Sequence, residues 1–338
     1  MYPEHPIVGS DAVTEMDVLQ HLRESLHVQW RRCRKRLKQC QRRFSEEAVH
    51  GTRVETRRLL ATVELLRAFI DKDDLEKVRR ALKRHLDTFD KLRDTQVQLG
   101  YVGRMTGTFP IARAFRTWLC RRETHFTREA GRSVKDIKTR RLGRRIAGFE
   151  KEISLLRKRT SAARTFETAL RAIDLSFARV AQLCRRVKAS DTATIHRTRI
   201  AFKRFRYMIE ALSPLLPTVT EEHHRAMRGY QSMMGDIQDV EVLVAAFDKF
   251  VRSQEIDRGS ARPLCEELRR RRRWLIRVYM NAAGRLGQFW PLPGLAAGHP
   301  VQSAKSINPR RARTSRAAVG PVMARPSPGP EPPTSSHL

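Results

Sequence analysis

Cysteine pairs, aromatic residues and long apolar runs are all scarce in this chain of 338 residues. Its five cysteines, Cys33, Cys40, Cys120, Cys184 and Cys265, are odd in number, scattered and without C-x-x-C spacing. That pattern excludes a disulfide framework and argues against structural zinc or dithiol redox chemistry, so a reducing compartment is the plain reading. No apolar run approaches the roughly 18 to 20 residues a spanning helix needs. The N-terminus is acidic around Asp11, Glu15 and Asp17 where a secretory leader would be basic and then apolar. A soluble, cytoplasmic protein is expected. Paired carboxylates, a nucleophile beside a base and a Gly-rich phosphate loop are missing as well, so no catalytic role and no cofactor are expected.

Acidic residues are scarce relative to basic ones. Lys and Arg number 68 against 36 Asp and Glu, a formal net charge of +32 with a pI near 11.2, while 40% of residues are hydrophobic. Such a chain folds, but its self-repulsion needs an anionic partner: nucleic acid, an anionic membrane or inorganic polyphosphate. For nucleic acid the charge fits, yet no helix-turn-helix, zinc-finger or RNA-binding signature accompanies it, and aromatic residues for base stacking are 7% of the chain.

Helix-period patterning dominates from about residue 15 to 286, with almost no alternating strand signal, so the fold class is all-α. Residues 1–14 read as an N-terminal extension and 287–338, rich in Pro, Gly, Ser and Arg, as a disordered tail. Within the helical part the stretch "VHGTRVETRRLLATVELL" is echoed by "IHRTRIAFKRFRYMIEAL". His50, Arg53, Arg57 and Arg58 match His196, Arg199, Lys203 and Arg204 at one constant offset of 146. A second segment, 79–99, repeats at 224–244 with an offset of 145, pairing Arg80 with Arg225, Lys83 with Arg228 and Asp94 with Asp239. The chain therefore reads as a tandem duplication. One four-helix unit is expected at about 15–44, 46–70, 73–99 and 109–158, the other at about 161–189, 191–213, 219–251 and 260–286.

At about 100° per residue, His50, Arg53 and Arg57 share one helix face with Arg58 to its side, while Leu59, Val63 and Leu66 occupy the other. His196, Arg199, Lys203 and Arg206 stand likewise against Phe202, Phe205 and Ile209. A single such stripe is ordinarily a solvated face whose arginine stems cover apolar surface. Repetition in register favours an anion-binding surface, where guanidinium forks, a compact ammonium and an imidazole donor meet phosphate oxygens. Metal ligation by His50 and His196 is disfavoured, because cationic neighbours would repel a cation. The adjacent His223 and His224 read as surface residues or extra anion donors. Asp94 and Asp239 read as carboxylates that orient arginines, with general-base catalysis the sharper alternative.

The spacing H-x-x-R-x-x-x-R/K-R, repeated and followed each time by a helix ending in R/Q-D-x-x-V, resembles the CHAD domain, the conserved histidine α-helical domain. The resemblance covers roughly residues 15–286 and is closer in the second copy; in the first, Leu60 stands where Arg206 stands in the second, and Gln96 departs from the usual pattern. It implies two antiparallel four-helix units with pseudo-twofold symmetry around a basic cleft that binds inorganic polyphosphate and brings the protein to polyphosphate granules. The matching positions are His50, Arg53, Arg57, Arg58, His196, Arg199, Lys203, Arg204 and Arg206, with Arg80, Lys83, Arg225 and Arg228 added from the repeat. The E-x-E-x-K signature of the CYTH triphosphatase domain that adjoins some members does not occur in this sequence.

Overall fold

Helix starts fall where the sequence supplies an oxygen to cap them. Asp17, Ser45, Ser161, Asp191, Thr220 and Asp257 each accept a hydrogen bond from a backbone N–H of the first turn, satisfying donors that the helix itself leaves orphaned. These caps open α1 (Val18–Arg42), α2 (Glu46–Leu66), α7 (Ala162–Cys184), α8 (Thr192–Leu212), α9 (Glu221–Ser253) and α10 (Arg258–Ala282). Between them lie α3 (Lys72–Asp87), α4 (Asp90–Gly103), α5 (Pro110–Lys135) and α6 (Arg140–Arg157). The computed structural model describes residues 17–70 and 72–292, and these residues are all-α apart from one isolated bridge between Lys188 and Asp191. Residues 1–14 and 293–338, assigned above to the extension and the tail, lie outside the described residues.

Among the described residues ten α-helices stand where eight helices were expected. The segment 73–99 is α3 and α4, and 109–158 is α5 and α6. The first break follows from Thr88 and Phe89. The Thr88 hydroxyl donates to the Arg84 carbonyl at 3.0 Å, and the Phe89 amide donates to Leu86 at 3.0 Å in a tighter turn while the Phe89 ring buries with Leu37, Val49 and Leu92. In the repeat, Met233 and Met234 occupy these two positions and α9 runs on unbroken for 33 residues. The second break is capped from elsewhere: Gln41 Nε2 donates to the carbonyls of Val134 at 3.0 Å and Ile137 at 3.1 Å, so α5 ends with its acceptors satisfied from α1.

Helices of the two repeated segments pack in matching pairs. α1 lies on α2 as α7 lies on α8, α2 on α3 as α8 on α9, and α2 packs directly against α8. The main core collects Leu22, Leu26, Leu59 and Val63 with Ile173, Phe202, Phe205 and Ile209, and a second core under α4, α5, α9 and α10 holds Phe115, Leu119, Phe247 and Phe250. Packing extends past residue 286, where the tail was expected to begin. Phe289, Trp290 and Leu292 are buried, and the Trp290 indole donates to Asp174 at 2.6 Å. Large rings close to an ordered helix end carry enough apolar surface to stay docked.

Candidate functional site

Because α2 packs against α8, the two charged stripes meet. Lys203 of α8 lies within electrostatic reach of Arg53 and Arg57 from α2 and of Arg199 and Arg206 from its own helix. Burial and then the repulsion of these guanidiniums push its ammonium down to about 7. Arg57 is also held below its ordinary range, by burial first and then by Arg53 and Arg199. The His196 imidazole is lowered by burial and by Arg199, against which a hydrogen bond with Gln238 acts.

These cations divide by whether the protein itself answers their charge. Arg53 is 8% exposed and donates to the Leu86 carbonyl at 3.2 Å and to Asp90 Oδ1 at 3.0 Å. Arg206, placed by the sequence on an open stripe, is also buried. Its guanidinium donates to Glu210 and, at 2.9 Å, to Gln231, and it lies 4.5 Å from the Tyr207 ring centre. Arg58 pairs with Glu55 at 2.9 Å and Arg204 with Glu64 at 3.0 Å. Arg228 pairs with Glu221, and Arg80 approaches Glu76 at 3.8 Å. By contrast, Arg57 Nε, Arg199 Nε, His196 Nδ1 and His224 Nδ1 are buried polar atoms without a hydrogen-bond partner. A buried donor left unmade costs about 1–3 kcal/mol, which an anion accepting from it would remove.

Arg57, Arg58 and Arg228 line a cleft of about 560 Å³ between α2, α8 and α9. Arg32 of α1, Tyr207 and His224 line it with them. Arg32 and Tyr207 were not singled out from the sequence. Tyr207 sits directly after the cationic run, but the first copy has Ala61 in its place, so the repeat gave no signal for it. His223 and His224, expected to point apart, do so: His224 faces the cleft while the His223 ring meets Phe289 edge-on at 6.1 Å. His50, Arg80, Lys83 and Arg225 are exposed and are not among the residues lining this cleft, and neither are Arg53, His196, Arg199, Lys203, Arg204 and Arg206.

The carboxylate that orients Arg53 is Asp90, one helical turn before Asp94. Asp94 and Asp239 make no hydrogen bond among the described residues. Each is raised above the usual carboxylate range, chiefly by desolvation, with added repulsion on Asp94 from Asp90 and Asp239 and on Asp239 from Asp236. Their tie to the arginines is electrostatic, through Arg53 and Arg93 for Asp94 and Arg199 and Arg93 for Asp239. The position in the second copy that matches Asp90 is Gly235. A Cβ there would meet only Arg199, with Nε at 3.5 Å and Nη2 at 3.6 Å.

Among the described residues, no group of three or more His, Cys, Asp or Glu side chains could hold a metal ion, and no helix is long and apolar enough to cross a membrane. Residues 18–248 match the family model described as the CHAD domain. The fold is similar to the crystal structure of the CHAD domain from the plant Ricinus communis, at a TM-score of 0.54 and 17% identity over 82% of this chain and 91% of that one. It is also similar to PptA from Streptomyces chartreusis, at a TM-score of 0.58 and 17% identity over 81% of this chain and all of that one. No curated protein matches the sequence.

Proposed function

Since this chain belongs to the CHAD family, we propose that it is a noncatalytic binding module for inorganic polyphosphate, built as two helical repeats, α1–α6 and α7–α10, related by a pseudo-twofold axis. The observation that carries this reading is the pair of buried, unpartnered nitrogens on Arg57 and Arg199 beside a Lys203 crowded by guanidiniums, with further unpartnered nitrogens on His196 and His224. Cations held this close are stabilised by a polyanion that accepts from the donors left unbonded. Arg57, Arg199, Lys203 and His196 make the central contacts. Arg58, Arg228, Arg32 and His224 extend them along the cleft, and His50, Arg80, Lys83 and Arg225 add long-range attraction from the surface. Arg53 and Arg206, being already bonded, position the others. A polymer engages several cations at once, so long chains outbind short ones. In cells such a module resides in the cytoplasm on polyphosphate granules.

The test is competition among long-chain polyphosphate, orthophosphate and DNA for the wild-type protein and for a variant with Arg57, Arg199 and Lys203 changed to Ala. Long-chain polyphosphate is expected to win and the variant to lose at least tenfold in affinity. Equal competition by DNA, with the variant binding polyphosphate as the wild type does, would identify a nonspecific nucleic-acid binder instead.

A further inference from the structure

The duplicated site is not symmetric, and the asymmetry comes down to one matched pair of positions. Arg53 and Arg199 are equivalent in the repeat, and so are Asp90 and Gly235. In the first copy the carboxylate of Asp90 sits on the Arg53 guanidinium at 3.0 Å, with the Leu86 carbonyl beside it at 3.2 Å. In the second copy the facing residue has no side chain. Arg199 lies over Gly235 and its Nε is buried without a partner. Asp236 and Asp239 influence Arg199 from the same helix through space, but neither forms an ion pair with it within 4.0 Å, whereas Asp90 does with Arg53. The histidines follow the same division. His50 is exposed, and His196 is half-buried with Nδ1 unpartnered.

We infer that position 235 determines which half of the duplicated site takes the anion: Asp90 is a built-in substitute for phosphate that closes the Arg53 half, and Gly235 leaves Arg199 open as the primary phosphate-binding arginine. This deepens the polyphosphate reading and rests on it. A carboxylate and a phosphate oxygen compete for the same guanidinium fork. A protein that had both arginines closed would present little beyond surface charge. With both open, neither guanidinium would have a hydrogen-bonded carboxylate beside Lys203, so the bonded half holds the fold while the open half binds.

The prediction is tested by exchanging the two positions in the full chain and titrating with polyphosphate. Gly235→Asp places a carboxylate against Arg199 and is expected to cost at least tenfold in affinity. Gly235→Asn, of the same size without the charge, and Gly235→Ala, whose Cβ would sit at ordinary contact distance from Arg199 Nε at 3.5 Å, are expected to stay within about threefold of the wild type. Asp90→Asn, which keeps the shape and frees Arg53 of its counter-charge, is expected to raise affinity, and to restore part of the loss when combined with Gly235→Asp. Circular dichroism and thermal melts confirm that each variant is folded. An unchanged affinity in Gly235→Asp would overturn the inference, as would an equal loss in Gly235→Asn, which would make the effect one of space. If the wild type itself failed to bind polyphosphate, the proposed function would fall and not this asymmetry alone.

Discussion

A lysine among arginines bears a clear electrostatic cost in this molecule. Lys203 is pushed to about 7 by burial and by Arg57, Arg199, Arg53 and Arg206, in that order. In the unfolded chain it titrates near its ordinary value of 10.5. Between about pH 7 and pH 10 the unfolded state therefore binds more protons than the native one, and the Lys203 contribution to stability rises with pH. Below about pH 7 both states carry the charge, and the native state bears the full cost of it. Lys203→Met is thus expected to raise the melting temperature at pH 6 to 7, and to flatten its rise toward pH 10, while weakening polyphosphate binding. Ligand has the opposite sign. Phosphate oxygens favour the ammonium, so binding takes up protons above pH 7 and affinity falls as pH climbs from 7 toward 10. Calorimetric titration in buffers of differing ionisation enthalpy measures that uptake, and its persistence in Lys203→Met would assign it to another group.

Helices α2 and α8 are held together by more than their apolar faces. Glu64 and Glu210 are equivalent in the repeat, but Glu210 pairs with Arg206 within its own helix. Leu60 stands where Arg206 would be, so Glu64 takes Arg204 from the other copy at 3.0 Å, along with Arg67 at 3.2 Å. Arg204→Ala is therefore expected to lower stability by about 0.5 kcal/mol, the ordinary worth of a half-exposed ion pair, and to change polyphosphate affinity less than twofold. Urea unfolding and a binding titration check the two halves of that statement. Gln41→Ala strips two carbonyl partners from the end of α5 and is expected to cost about 1 kcal/mol by the same unfolding measurement.

Most of the helices were legible in their periodicity, and the α2 and α8 stripes in the repeat. The break at Thr88 and Phe89 was not, because periodicity survives a tight turn and only the burial of the Phe89 ring shows why the chain bends there. Nor were the partners of each cation. Sequence spacing aligned Arg53 with Arg199, but Asp90 was passed over in favour of Asp94, and only the fold shows which carboxylate reaches which guanidinium. Arg32 and Tyr207 join the cleft from α1 and from a position the first copy does not share, so no repeat marks them.

The whole molecule carries +32 over 338 residues, and long-range attraction for any polyanion follows from that alone. The salt dependence of binding counts the phosphates that the protein's cations neutralise. With three central cations, Arg57, Arg199 and Lys203, affinity for long-chain polyphosphate should fall roughly 40-fold between 50 and 200 mM salt, scaled from nucleic-acid behaviour. A variant lacking Arg57, Arg199 and Lys203 should show a shallower slope. Cations from both copies form one site if affinity measured for Arg57→Ala and Lys203→Ala, singly and together, shows each to be needed and the two to be coupled. Arg57 comes from the first copy and Lys203 from the second, and each is within electrostatic reach of the other. The account predicts at least a tenfold loss for each single change, and a loss in the double variant that departs from the sum of the two by more than about 0.5 kcal/mol. Wild-type affinity in either single variant would contradict it.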